Sequence, residues 1–292
     1  MQSLFRYRGK TLSLDDIRFI RDLIAENPDA SRWALSKKLC IAWDWVQPNG
    51  ALRDMVCRGL MLRLHEGGYI KLPAKKRNPP NPFVNRKSPE KVEIDQTPIH
   101  KSLSEILPLE IRQVRRTTHE KTANSLIEHY HYLGYCHPVG EHLKYIVFSK
   151  DRPIACMSWS SAPRHIGCRD RFIGWEPETR KKNLHLIAYN SRYLILPWVS
   201  VRYLASHLLG RIAKVLPVDW QRVYNHRLCY LETFIDTDRG FNGSCYRGAN
   251  WIEVGYTTGR GKNDHTNKVN RSLKTVLGYP LSKSFREILR HG

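Results

Sequence analysis

The sequence predicts two kinds of structure in one chain: a helical N-terminal unit and a larger α+β or α/β part built on a mixed sheet. Three observations carry this reading. Apolar residues recur at helical spacing through the first seventy positions; residues 73–98 hold six prolines (Pro73, Pro79, Pro80, Pro82, Pro89 and Pro98); and beyond about residue 105 short apolar runs alternate with amphipathic stretches.

The N-terminal elements follow in order. Ser13 with Asp16 forms a capping-box pattern, and Ile17, Ile20, Leu23 and Ile24 then fall on one helical face. Asn27-Pro28 ends that helix, and Ser31 caps a second that carries Ala34, Leu35 and Leu39. Trp43 and Trp45 lie in a connection ending at Pro48-Asn49-Gly50. A third helix sends Leu52, Met55, Val56, Leu60 and Leu64 inward and leaves Arg53, Arg58 and Arg63 for other faces. Gly67-Gly68 ends it, and Tyr69 to Leu72 reads as a short strand. Three helices and a terminal strand predict a winged helix-turn-helix over 1–72, with the third helix presented to a DNA groove. A plain helical bundle serving protein contacts fits the same pattern.

Residues 73–104 are expected to be a basic tether, since prolines at this density forbid a regular helix. Lys75, Lys76, Arg77, Arg86 and Lys87 sit among them, placed to follow a phosphate backbone. From 105 to 292 the expected elements are a helix over 117–130, then a hairpin of Leu143–Phe148 and Ile154–Ser160. A long strand follows over Leu184–Leu196, interrupted near Asn190-Ser-Arg192. After it come a helix over Val199–Val215, a strand over Leu228–Ile235, a short helix over Cys245–Ala249 and a strand over Trp251–Tyr256.

Forty-eight Lys and Arg against twenty-seven Asp and Glu give a net charge of +21. Such an excess favours polyanions, and DNA, double- or single-stranded, is the expected partner, with salt-sensitive binding. No apolar run nears the roughly eighteen residues of a membrane span, and the N-terminus lacks the apolar core of a signal peptide, so a soluble cytoplasmic protein without membrane contacts is expected. Seven scattered cysteines without a CxxC pair suit reduced thiols. The two HxxC spacings, His165 to Cys168 and His226 to Cys229, would make a zinc site only if brought together.

Several residues are candidates for chemistry or contact. Glu232 and Asp236, four apart on a strand, point to one face; with Asp170 or Asp219 they would hold Mg or Mn for phosphodiester cleavage, or else pair with Arg169 or Arg192. No cofactor is otherwise expected. Tyr246 and Trp251 would stack on bases, or else fill a core. Thr257, Thr258, Gly259, Arg260 and Gly261 form a donor-rich turn suited to a phosphate, and Lys262, Lys268, Arg271 and Lys274 extend its basic surface. His129, His131 and His137 beside Tyr130 and Tyr132 suggest a nicking tyrosine with a metal-binding histidine pair.

Two resemblances follow. The order of strands and helices, with Leu231-Glu-Thr-Phe-Ile-Asp236, Gly243 to Trp251 and Glu253-Val-Gly255 at its end, resembles the GNAT-type acyltransferase fold. That fold implies acyl-coenzyme A bound at a helix N-terminus through an R/Q-x-x-G-x-G/A turn, but here the stretch reads Ser200-Val-Arg-Tyr-Leu-Ala205, and of the two small positions only the alanine fits. A second resemblance covers nearly the whole chain. It rests on His131-Tyr-Leu-Gly134, Arg169-Asp-Arg-Phe-Ile-Gly-Trp175, Asn190-Ser-Arg-Tyr-Leu-Ile-Leu-Pro197, Leu204-Ala-Ser206, Asp219-Trp220 and Leu231 to Asp236. It continues through Gly243 to Trp251 and Gly255 to Gly261, with Leu39-Cys40, Trp43 to Trp45 and Cys57-Arg-Gly-Leu60 nearer the start. In these the chain resembles the Druantia anti-phage defence protein A (DruA-like) family. The resemblance implies a bacterial defence role beside other system components and brings no catalytic mechanism. The expected function is therefore a DNA-binding defence protein. A metal-dependent nuclease or transposition-associated enzyme using Glu232 and Asp236, and an acyltransferase, are the alternatives.

Overall fold

The computed structural model describes residues 5–7, 10–47, 50–75, 88–260 and 269–291. The chain divides into two units, residues 1–85 with 218–227, and residues 86–217 with 228–292.

In the first unit, β1 (Phe5–Tyr7) and β2 (Lys10–Leu12) form an antiparallel hairpin. Three helices follow: α1 (Leu14–Ala25), α2 (Arg32–Ala42) and α3 (Asp54–Glu66). The capping box is present, with Asp16 N–H donating to Ser13 Oγ at 3.2 Å and Ser13 N–H donating to Asp16 Oδ2 at 2.8 Å. Ser31 caps α2 through Ala34 N–H. Ile17, Ile20, Leu35, Leu39, Val56, Leu60 and Leu64 are buried, the apolar stripe each helix presents to a common core. The strand expected at Tyr69–Leu72 is absent. His65 takes its place: its Nδ1 lies 3.2 Å from the Ile70 carbonyl and 3.4 Å from the Leu72 amide, so the backbone is satisfied by a side chain instead of a neighbouring strand.

The second unit is a mixed α/β structure. In chain order it comprises β3 (Ile99–His100), β4 (Leu109–Gln113), α4 (Glu120–Tyr130), β5 (His142–Ser149) and β6 (Arg152–Ser161). Next come α5 (Gly167–Ile173), α6 (Pro177–Asn183), β7 (Ile187–Ile195), β8 (Val199–Ser200) and α7 (Leu204–Tyr224), whose last residues count with the first unit. The chain ends with β9 (Tyr230–Asp236), α8 (Ser244–Arg247), β10 (Ile252–Tyr256), β11 (Lys274–Pro280) and α9 (Phe285–His291). Residues 88–104, expected within the tether, are held in this unit. Val92 N–H donates to Ser125 Oγ at 2.9 Å, and β3 pairs in parallel with β8. That pairing and a left-handed Tyr203 (φ 63°) delay the start of α7 to Leu204, and the helix runs on through Pro217 beyond its expected end.

Seven strands form one sheet in the order β10-β11-β9-β7-β6-β5-β4. Every junction is antiparallel except β7 with β9. A parallel junction needs a long crossover, and α7 supplies it. The junction is short: only Ile187↔Tyr230, Ala188↔Leu231 and Tyr189↔Glu232 are paired. Beyond Tyr189 the two strands part, β7 staying with β6 and β9 with β11. The β6/β7 register also slips between Ser158 and Trp159, where Asn190 and Arg192 are the partners, leaving Ser191 as the extra residue of a bulge. This is the interruption expected near Asn190-Ser-Arg192.

Candidate functional site

The parting of β7 and β9 gathers the polar side chains of the second unit into three groups. The first is a buried charge network. Arg169 on α5 and Glu232 on β9 are both fully buried, with Arg169 Nη1 donating to Glu232 Oε1 at 3.1 Å and lying 3.4 Å from Oε2. Arg169 Nε donates to Asp170 Oδ1 at 3.0 Å, and its remaining hydrogens reach the carbonyls of Pro163 and Arg164. Asp170 also accepts from Trp175 Nε1 and Arg180 Nη1. Burial pushes the Glu232 carboxyl up to about 7 against the pull of Arg169.

The second group fills the parting itself. Tyr246 donates its hydroxyl to Asn190 Oδ1 at 2.5 Å, and Thr233 Oγ1 donates to the Asn190 carbonyl at 3.3 Å. Tyr193 O–H reaches the Ala205 carbonyl at the start of α7. Tyr246 packs edge-on against Trp251, with ring centroids 5.1 Å apart. Tyr246 and Trp251 are buried, so neither presents a ring face to a base, and the expected stacking role is corrected accordingly. Arg169 is likewise corrected: a guanidinium without exposed surface, spent on two carboxylates, has nothing to offer a phosphate.

The third group joins the buried Asp236 to the half-exposed rings of Tyr132 and Phe241. Asp236, at the end of β9, accepts from Ser272 Oγ at 3.1 Å, and its Oδ2 lies 3.6 Å from both Arg239 Nε and Lys274 Nζ. Tyr132, just past α4, packs against Phe241 with centroids 4.8 Å apart, and Arg239 lies over the Tyr132 ring. His131 stacks on Tyr132 at 4.6 Å, and burial beside Arg192 lowers its pKa to about 4. Arg192 donates from Nε to the Gly134 carbonyl at 2.8 Å and from Nη1 to the Ser191 carbonyl.

Glu232 and Asp236 therefore serve different partners. Glu232 and Asp170 meet on one arginine, whereas Asp236 stands among Arg239, Lys274 and Ser272. Among the described residues no three His, Cys, Asp or Glu side chains form a metal-ligand set. The expected histidine pair is also dispersed: His129 Nδ1 lies on the Ser125 carbonyl, His131 on Tyr132, and His137 Nδ1 on Tyr135 Oη. In the Thr257 turn, Thr257 N–H donates to the Lys274 carbonyl and its hydroxyl accepts from Lys274 N–H. The Gly259 carbonyl accepts from Asn270 and Arg271, and Arg260 is exposed. Gly261, Lys262 and Lys268 lie outside the described residues, as do Lys76, Arg77, Arg86 and Lys87; Lys75 is exposed. On α3, Arg58 and Arg63 are exposed and paired with Asp54 and Glu66, while Arg53 Nε donates to the Val46 carbonyl.

Sequence reasoning passed over Phe241 and Arg239, because neither belongs to a motif and both act through neighbours remote in the chain. It also passed over Lys144, a buried amine held by Glu120 Oε1 at 2.8 Å and Asn124 Oδ1 at 2.6 Å, whose pKa burial lowers.

The sheet order with its single parallel junction resembles the GNAT acetyltransferase fold. Solved structures similar to this chain include the spermidine N-acetyltransferase of Vibrio cholerae in complex with CoA and spermine (12% identity, 60% of this chain and 96% of that chain, TM-score 0.39). The ribosomal-protein-S18-alanine N-acetyltransferase of Escherichia coli is similar at 12% identity over 60% of this chain and 95% of that chain, with a TM-score of 0.37. The turn into α7 carries Tyr203 at the glycine position of that pattern, and Tyr193, Tyr246, Asn190 and Thr233 hydrogen-bond within and beside the parting of β7 and β9.

No curated protein matches the sequence. The model of the family described as Druantia protein DruA matches residues 64–279, and the chain belongs to that family. Membership implies a part in anti-phage defence. The matched segment takes in the motifs from His131 onward; the Leu39-Cys40, Trp43 to Trp45 and Cys57 to Leu60 motifs lie before it. No helix among the described residues is long and apolar enough to cross a membrane.

Proposed function

We propose that the chain is the nucleic-acid-engaging component of an anti-phage defence system, binding DNA through its cationic surface and working beside other proteins of that system. The location of the charge supports this reading. The buried acids Glu232 and Asp236 sit against cations, as does Asp170, while Arg58, Arg63, Lys75, Arg239 and Arg260 stand at exposed positions in a chain of net charge +21. A duplex partner would meet exposed arginines of α3 and the basic segment after it, as a winged-helix reader does.

The test is the salt dependence of binding, read by fluorescence anisotropy with the full chain and a labelled duplex. Replacing Lys75, Lys76, Arg77, Arg86 and Lys87 with Ala should weaken binding to every sequence and flatten the log–log salt slope by roughly one per lost phosphate contact. A parent protein that binds no DNA at micromolar concentration, or binds it without salt dependence, overturns the proposal.

A further inference from the structure

We propose that the open side of the β7/β9 parting seats one unpaired nucleotide of single-stranded DNA, its base on the Tyr132–Phe241 pair, its donor edge toward Asp236 and its phosphate toward Arg239 and Arg192. This deepens the DNA-binding reading and rests on it.

Two aromatic rings from segments more than a hundred residues apart meet at the surface. Tyr132 is 43% exposed and Phe241 45% exposed, with centroids 4.8 Å apart. The exposed faces of two large rings are left in water, whereas a base stacked on them is stabilised. The rings are held in place: His131 stacks against Tyr132 at 4.6 Å, and the Arg239 guanidinium lies 5.2 Å from the Tyr132 centroid.

The second observation is independent of the rings. Asp236 is 4% exposed, and while its Oδ2 faces Ser272, Lys274 and Arg239, its Oδ1 is buried without a hydrogen-bond partner among the described residues. A buried carboxylate oxygen left unmatched is costly and is satisfied by a ligand donor. Every nucleobase carries an N–H or amino donor on its pairing edge, and only an unpaired base has that edge free. Arg239 joins carboxylate and ring in one site, lying 3.6 Å from Asp236 Oδ2 and over the Tyr132 ring, and burial together with Asp236 raises the Tyr132 phenol pKa.

Charge decides the class of ligand. Arg239 and Lys274 flank the Asp236 carboxylate and Arg192 lies beside Tyr132, so the site favours an anion that also carries an aromatic ring with a hydrogen-bond donor. A paired base in a duplex has neither a free face nor a free donor edge.

The experiment uses the full chain with labelled single-stranded 12-mers and a labelled duplex, read by anisotropy. Tyr132→Ala with Phe241→Ala should weaken single-strand binding at least tenfold and leave duplex binding within twofold, with the melting temperature lowered by only a few degrees because both rings are partly exposed. Tyr132→Phe, which keeps the ring, should retain single-strand binding, and Asp236→Asn should weaken it. A double alanine variant that binds single strands like the parent overturns the inference, as does a parent that binds duplex but not single strands, the DNA reading surviving in both cases. A parent that binds neither form removes both.

Discussion

Replacing Glu232 with Ala isolates the buried charge network. The carboxylate accepts from Arg169 Nη1 at 3.1 Å, and neither residue has exposed surface. Its loss leaves Arg169 with Asp170 and two carbonyls in a space water does not reach. Removing one partner of a buried pair costs about 3–5 kcal/mol, chiefly because the other charge remains uncompensated. In a unit of this size each kcal/mol lowers the melting temperature by about 2–4 °C, so Glu232→Ala should melt roughly 6–20 °C below the parent. Glu232→Gln keeps the shape and an acceptor oxygen for Nη1 and should lose less than half as much. The double change Glu232→Leu with Arg169→Met removes both charges and should recover most of the loss, since apolar replacement of a buried pair is often neutral. The assay is calorimetry of all four proteins at pH 8, above the point near 7 to which burial pushes the Glu232 carboxyl, so that the pair is ionised. An alanine variant that melts within 2 °C of the parent, or a double variant no better than the single one, refutes the reasoning.

The remaining expectations concern the same unit. Because the Glu232 carboxyl titrates near 7 when folded and near 4.5 when unfolded, the folded state holds its proton more tightly. Its stabilising contribution is full below 4.5 and is lost as pH rises through 7; urea titrations should show the parent losing stability across that window relative to Glu232→Gln. Gly278 on β11 faces the Tyr230 ring so closely that an added Cβ would sit 1.6 Å from the hydroxyl oxygen, so Gly278→Ala should lower the melting temperature by at least about 5 °C. Calorimetric titration with acetyl-coenzyme A at micromolar ligand should give no heat, because the turn into α7 carries Tyr203 at the glycine position; a clear isotherm would restore the acyltransferase alternative.

Local rules were legible where the controlling atoms are neighbours in sequence. Ser13 with Asp16 and Ser31 with Ala34 are caps closed within three residues, and the β5/β6 hairpin is marked by the polar turn at Ser149 to Pro153. Reading Glu232 and Asp236 as two acids of one strand held, but the strand alone did not say that Arg169, 63 residues away, would claim the first while Lys274 and Arg239 claimed the second. Arginine and tyrosine are ordinarily surface or half-buried residues, so the full burial of Arg169 and the loss of Tyr246 to the interior followed from tertiary packing that no window reports. β11 was not among the expected elements; its Gly278 and Pro280 weaken a strand pattern, although Gly278 is what admits the Tyr230 ring beside it. The short helices α5, α6 and α9, seven residues each, carry too few turns for a periodic signal.

The three-residue seam between β7 and β9 bears on how the molecule is made. During synthesis β4 to β7 emerge first and pair as a meander of neighbours, each strand finding its partner within a few tens of residues. The remaining strands, β9 to β11, leave the ribosome only after the long α7 crossover and attach along a very short line of contact. Tyr132 and Arg192 belong to the portion made early, and Asp236, Arg239 and Phe241 to the portion made late. A nascent chain therefore carries only half of this aromatic and charged surface until its last third has folded.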